Sequence, residues 1–128
     1  MLNGLKILLK VFGLDKGYIA IEDNKTDAVE VLESKTNGSS MFDICVLKTK
    51  YPQGGERHLI YATTGRKINS TMLPADAGCI VNNVDTIVAV YKAVMEGRPL
   101  MERIVTVTGN AVAAPGNFRV PVGTSYQD

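Results

Sequence analysis

A chain of 128 residues, 45% of them hydrophobic and 21% charged, suits one compact domain, or one domain carrying part of another, and is long enough to bury a core. Its 14 basic and 13 acidic residues leave a formal net charge of +1, so nothing indicates a nucleic-acid partner or an acidic disordered tail. Trp is absent and aromatic residues make up 6%, which argues against a stacking platform for bases.

Near the start, GLKILLKVFGL places Leu5, Leu8, Leu9 and Phe12 at helical spacing, with Lys6 and Lys10 one turn apart on another side. A bilayer span needs about 20 apolar residues, so this stretch predicts an amphipathic helix and no direct membrane insertion. Gly13 and Gly17 mark a stop and a turn. YIAIED then reads as a short buried strand ending in charges. Thr26, Val29, Val31 and Leu32 suggest a second helix with NKTD as its cap region, and MFDICVLKT a second strand. Strand, helix and strand at this spacing predict a βαβ unit with parallel strands.

Further on, Pro52 and the pair Gly54-Gly55 lead into a helix from Glu56 to Thr64, ended by Gly65. KINSTMLPADAG reads as a loop. The stretch CIVNNVDTIVAVYKAV then predicts a short extended run and a long helix through Met95, with Ile87, Val90, Tyr91 and Val94 on one face and stops at Gly97 and Pro99. After Pro99 the texture changes. ERIVTVTG and FRVPVGT alternate with period two, which predicts two strands with no helix between them. A domain boundary is therefore expected between residues 97 and 100, separating 1–98 from 99–128.

Four groups of residues carry candidate chemistry. Asn82 and Asn83 sit side by side where the apolar run meets the helix. One of them suits the N-cap, and Asp85 suits the helix dipole. The second needs another partner, such as a phosphate or flavin at the helix N-terminus, although Asp85 argues against a phosphate directly on that turn. The two glycines of PQGGER could bring backbone N–H groups to an anion or simply make a tight turn. The cluster IEDNK could shape a pocket, bind a cation, or form a solvated turn. His58 has no matched nucleophile, and Tyr51, Tyr61 and Tyr91 read as packing residues. Cys45 and Cys79 lie outside any CxxC unit and, with one histidine, form no metal-ligand set; they read as buried reduced thiols.

Taken together, GYIAIEDNKTDAV, LKTKYPQGGERHLIYATTGR, LPADAGCIVNNVDTIVAVYKAV and GRPLMERIVTVTG resemble the RnfC family. RnfC is the peripheral flavin- and NADH-binding subunit of the Rnf ion-translocating electron transport complex, with a broader kinship to the flavoprotein subunit of respiratory complex I. The fold class implied is α/β: a βαβ-containing partial flavin-binding domain of the complex I flavoprotein kind, followed by the first strands of a β-grasp (SLBB) module. The Val-Asn-Asn-Val-Glu-Thr motif of the complex I flavoprotein subunit reads Val81-Asn82-Asn83-Val84-Asp85-Thr86 here. The resemblance thus implies Asn82, Asn83 and Thr86 as FMN contacts, and Glu22, Asp23 and Asn24 as flavin- or nicotinamide-side residues.

For the parent protein the resemblance implies FMN and NADH as cofactors, with 4Fe-4S clusters outside this stretch. It implies ferredoxin and the other Rnf subunits as partners, at the cytoplasmic face of the membrane. The family's Gly-x-Gly-Gly-Ala-x-Phe-Pro loop and paired cysteine clusters are not in this sequence. The chain is therefore expected to be a fragment that, alone, binds FMN weakly or not at all. Two rival expectations stand beside this one: an RnfC-like carrier serving a soluble reductase such as proline reductase, and a non-catalytic docking module whose asparagines serve only as caps.

Overall fold

Apolar periodicity and glycine stops set the order of elements. The computed structural model describes residues 1–127, so the last residue of the expected second domain, Asp128, lies outside the described residues. Helix α1 (Leu2–Phe12) leads to β1 (Gly17–Glu22), α2 (Thr26–Thr36) and β2 (Phe42–Leu47). Then come α3 (Glu56–Thr64), a 3-10 turn (Pro74–Ala77), α4 (Val84–Glu96), β3 (Glu102–Val107) and β4 (Gly116–Pro121). β1 and β2 pair in parallel from Gly17↔Phe42 to Glu22↔Leu47, so the expected βαβ unit is present. β3 and β4 form an antiparallel pair, Glu102↔Pro121 to Val107↔Gly116.

The main core lies where α1 crosses the sheet. Leu9, Ile19 and Phe42 are buried together, and Leu2, Leu5, Leu32 and Met41 pack around them. Two glycines make that crossing possible. A Cβ on Gly17 would lie 3.2 Å from Leu5 Cδ2, so Leu5 rests on bare strand backbone. A Cβ on Gly4 would lie 2.1 Å from the carbonyl oxygen of Ile87, a separation no real carbon tolerates. Gly4 therefore lets α1 rest on the backbone of α4, and α1 is held between β1 and α4. Buried Ile60 and Ile87 tie α3 and α4 into the same body.

Several expectations need correction. The core is thin: among the described residues only Leu9, Ile19, Phe42, Ile60 and Ile87 are buried apolar side chains. β1 is covered on one face only, and Tyr18 on the other is 47% exposed. A parallel sheet needs cover on both faces, and these residues supply one. Residues 79–83 join no ladder, so the sheet stays two-stranded and the outer edge of β1 is open.

The expected loop contains the 3-10 turn, whose Asp76 carboxylate accepts from the Leu73 N–H at 2.8 Å. α2 begins with no side-chain cap, contrary to the NKTD expectation. On α4, Val94 is 61% exposed, so the expected apolar face is left uncovered at that position. Tyr51 projects into solvent and Tyr61 is more than half exposed, so neither packs as expected. The two cysteines are half-buried free thiols.

The Gly4 contact gives the first prediction. Alanine is intrinsically the better helix former by about 1 kcal/mol, but the added methyl meets backbone that can move only by separating the helices. Overpacking of this kind costs about 1–3 kcal/mol. Gly4→Ala is expected to lower the stability of the fold in urea denaturation, with the clash outweighing the propensity gain.

Candidate functional site at the head of α4

The two asparagines divide the work. Asn83 is the N-cap of α4, with extended backbone, and its Oδ1 accepts from the Asp85 N–H at 2.9 Å. Its carbonyl accepts the first helical bond from the Ile87 N–H at 3.2 Å. This satisfies one orphan donor of the helix. Asn82 is exposed, and its carboxamide makes no hydrogen bond among the described residues; it lies on the lining of a groove.

That groove has a volume of about 320 Å³, at the lower end of the range for small-molecule sites, roughly 300–1,000 Å³. Its floor comes from α1 (Leu8, Phe12) and α3 (Ile60), and one wall from the open edge of β1 (Ala20). Residues 78–82 form the opposite wall, and Arg66 and Asn82 supply polarity. The arrangement is an apolar slot with few polar groups, one of them a carboxamide that can both donate and accept.

Two arginines hold the strap that carries the asparagines. Arg66, just after α3, donates from Nη1 to the carbonyls of Ala77 at 2.8 Å and Gly78 at 2.9 Å, and reaches Cys79 Sγ at 3.6 Å. Gly78 has φ near 65°, a left-handed turn that glycine adopts without penalty. Arg57 Nη2 donates to the carbonyls of Ser70 at 3.3 Å and Met72 at 3.4 Å. Neither role is visible in the sequence, where Arg57 looks misplaced at a helix start. The bonds go to main-chain oxygens far along the chain, so no motif signals them.

Glu22, Asp23 and Asn24 are exposed at the end of β1, off the groove. Asp23 instead latches the two strands. Its N–H donates to the Leu47 carbonyl at 2.8 Å, and its Oδ1 accepts from Thr49 N–H at 3.0 Å and Thr49 Oγ1 at 2.9 Å. The Thr49 bonds, the one from its backbone N–H foremost, hold the Asp23 carboxyl below the usual 3.8. Thr86 is half-buried in the first turn of α4 and does not line the groove. Of the six candidate residues, the groove thus gathers Asn82 directly and Asn83 through its neighbour.

Elsewhere the Gly55 N–H is used within its own turn, donating to the Pro52 carbonyl at 2.8 Å, so PQGGER offers less to an anion than its glycines suggest. Burial, then the Asp43 charge, pushes the Cys45 thiol up, which disfavours the thiolate needed for nucleophilic chemistry. Among the described residues no cluster of His, Cys, Asp and Glu could hold a metal ion, and no helix is long and apolar enough to cross a membrane.

Residues 1–92 match the family described as the Nuo51 FMN-binding domain, Complex1_51K. This chain belongs to that family. The matched span takes in α1 to the middle of α4, and so the whole lining of the groove. Among curated relatives, the chain is 44% identical over 124 residues to the C-subunit of the Na(+)-translocating ferredoxin:NAD(+) oxidoreductase complex of Acetobacterium woodii, covering 97% of this chain and 28% of the relative. It is 41% identical over 125 residues to the C-subunit of the proton-translocating complex of Clostridium ljungdahlii, covering 98% of this chain and 27% of the relative. It is 40% identical over 128 residues to the C-subunit of the ion-translocating oxidoreductase complex of Pseudomonas aeruginosa, covering 100% of this chain and 16% of the relative. The resemblance to RnfC therefore holds, and the chain spans well under a third of the curated relatives it matches.

The Asp23 latch yields a pH prediction. Its folded-state carboxyl is lowered, so its stabilisation is present above 3.8 and is lost as pH falls from there through the folded value. Asp23→Asn is expected to be less stable than the parent at neutral pH, with the gap closing across that acid window. Urea denaturation at a series of pH values measures it.

Proposed function

We propose that this chain holds FMN in an electron-transfer flavoprotein of the RnfC kind, with the groove beside Asn82 as part of the flavin site. The observation that carries the reading is the Asn82 carboxamide, unpartnered among the described residues, on an apolar slot within the span matched to an FMN-binding domain. The residues suit the group: Leu8, Phe12 and Leu59 offer apolar surface to a flat ring, and Asn82 offers a donor and an acceptor to its polar edge. Asn83 fixes the start of α4, and Arg66 and Arg57 fix the strap that aims Asn82. Thr86 stands one turn further, within reach of the same helix end. When bound, FMN accepts electrons as a hydride pair and releases them singly.

In this reading the parent protein passes electrons between NADH and ferredoxin through FMN and 4Fe-4S centres. It does so with the other Rnf subunits at the cytoplasmic face of the membrane, coupled to ion transport. Residues 1–98 form the second half of the flavin domain, and the β3–β4 pair opens an SLBB β-grasp. Glu22, Asp23 and Asn24 would act on the flavin side only through the strand end that Asp23 latches. A second reading, a docking module with capping asparagines, draws on the Asn83–Asp85 bond.

Paired substitutions separate the two, made in the protein as its gene encodes it. Asn82→Ala is expected to weaken FMN binding roughly two- to twelvefold, the span of one neutral hydrogen bond of about 0.5–1.5 kcal/mol, with stability unchanged. Asn83→Ala is expected to lower stability by about 1 kcal/mol. Flavin fluorescence titration and denaturation read the two effects. Unchanged FMN affinity in Asn82→Ala would favour the docking module.

A further inference from the structure

Asn82 has a neighbour on the groove with unused donors. Arg66 is the charged side chain on the lining, and no Asp or Glu lies there with it. Its Nη1 is taken up by the carbonyls of Ala77 and Gly78. A guanidinium carries N–H donors on all three nitrogens in a planar fork, and those on Nε and Nη2 have no acceptor among the described residues. The side chain is exposed and makes no ion pair among the described residues. An apolar slot whose side-chain charge is an uncompensated cation favours an anionic ligand over a neutral one of the same shape.

The free edge of that fork matches a phosphate. Nε and Nη2 present parallel N–H groups, the geometry in which arginine takes two oxygens of a carboxylate or phosphate. The threonines of the lining are already committed: Thr63 Oγ1 donates to the Leu59 carbonyl at 2.8 Å and Thr64 Oγ1 to the Ile60 carbonyl at 2.6 Å. The position suits the ligand as well. Arg66 grips the strap at Gly78, and Asn82 lies four residues on, at most about 14 Å along the chain. The ribityl tether of FMN sets ring and phosphate apart within that span. Asp85, the acid on the first turn of α4, does not line the groove, so an anion at Arg66 is spared that carboxylate.

We propose that Arg66 recognises the phosphate of FMN through its Nε–Nη2 edge, while the ring lies toward Asn82. This rests on the reading of the groove as part of the flavin site. Arg66 then has two tasks. One side of its guanidinium holds the strap, and the other selects FMN over riboflavin, which has the same ring and no phosphate.

The experiment titrates both flavins against the protein as its gene encodes it and takes the ratio of their affinities. Arg66→Gln loosens the strap for both flavins alike, a change that cancels in the ratio. The ratio of FMN to riboflavin affinity is expected to fall about tenfold or more, the scale of a charge-assisted hydrogen bond. A second measurement needs no variant: raising salt is expected to weaken FMN and to leave riboflavin within about twofold, because the charge on an exposed arginine is screened. An unchanged ratio in Arg66→Gln would overturn the proposal, because a residue that only holds the strap moves both flavins together; weaker FMN binding in Asn82→Ala would then leave the groove reading standing. FMN affinity insensitive to salt would overturn it as well. A protein that binds neither flavin would overturn the groove reading, and this proposal with it.

Discussion

The contact between Gly4 and the backbone of Ile87 is the constraint on which the rest of this structure turns. It lets α1 lie against α4 with no side chain between them, while the next residue, Leu5, rests on Gly17 of β1. One helix thus spaces the strand from the helix that carries the asparagine cap. The groove is the room left over between these elements, walled by the open edge of β1 and the strap of residues 78–82. With few buried side chains in the core, such close backbone approach accounts for more of the geometry than apolar bulk does.

The head of α4 shows how two identical residues acquire different tasks. Asn83 faces its own helix and is consumed by capping. Asn82, one residue earlier, lines the groove with no hydrogen-bond partner for its carboxamide among the described residues. A buried carboxamide in that state would be costly, whereas an exposed one at a cavity wall is free to serve a ligand. The span that matches the FMN-binding domain family, residues 1–92, takes in the whole lining of this groove.

Much of the architecture could be read from residue patterns. Helix α3 was legible to its last residue because Glu56 opens it and Gly65 closes it in left-handed geometry. The parallel pairing of β1 and β2 followed from the spacing of apolar runs. What escaped was long-range. The Asp23–Thr49 latch joins residues 26 apart, and the acidic letters of IEDNK give no hint of it. The apolar letters of YIAIED suggested a buried strand, but burial depends on what packs above the second face, and Tyr18 is left exposed. The run at 79–81 looks like a strand by composition, yet a strand exists only where a neighbour takes its hydrogen bonds. For the candidate site, the doubled asparagine was legible as an anomaly, and its division into cap and free amide was not.

Arg57 and Arg66 grip the strap through main-chain oxygens alone, apart from the weak reach to Cys79. A guanidinium bound in this way is indifferent to which side chains the strap displays. Substitution is therefore tolerated where a strap side chain makes no bond of its own, and not at Asn69 or Asp76, whose side chains hold the N–H groups of Thr71, Met72 and Leu73. The aim of Asn82 depends on those two side chains and on two cations, Arg57 in α3 and Arg66 just past its stop.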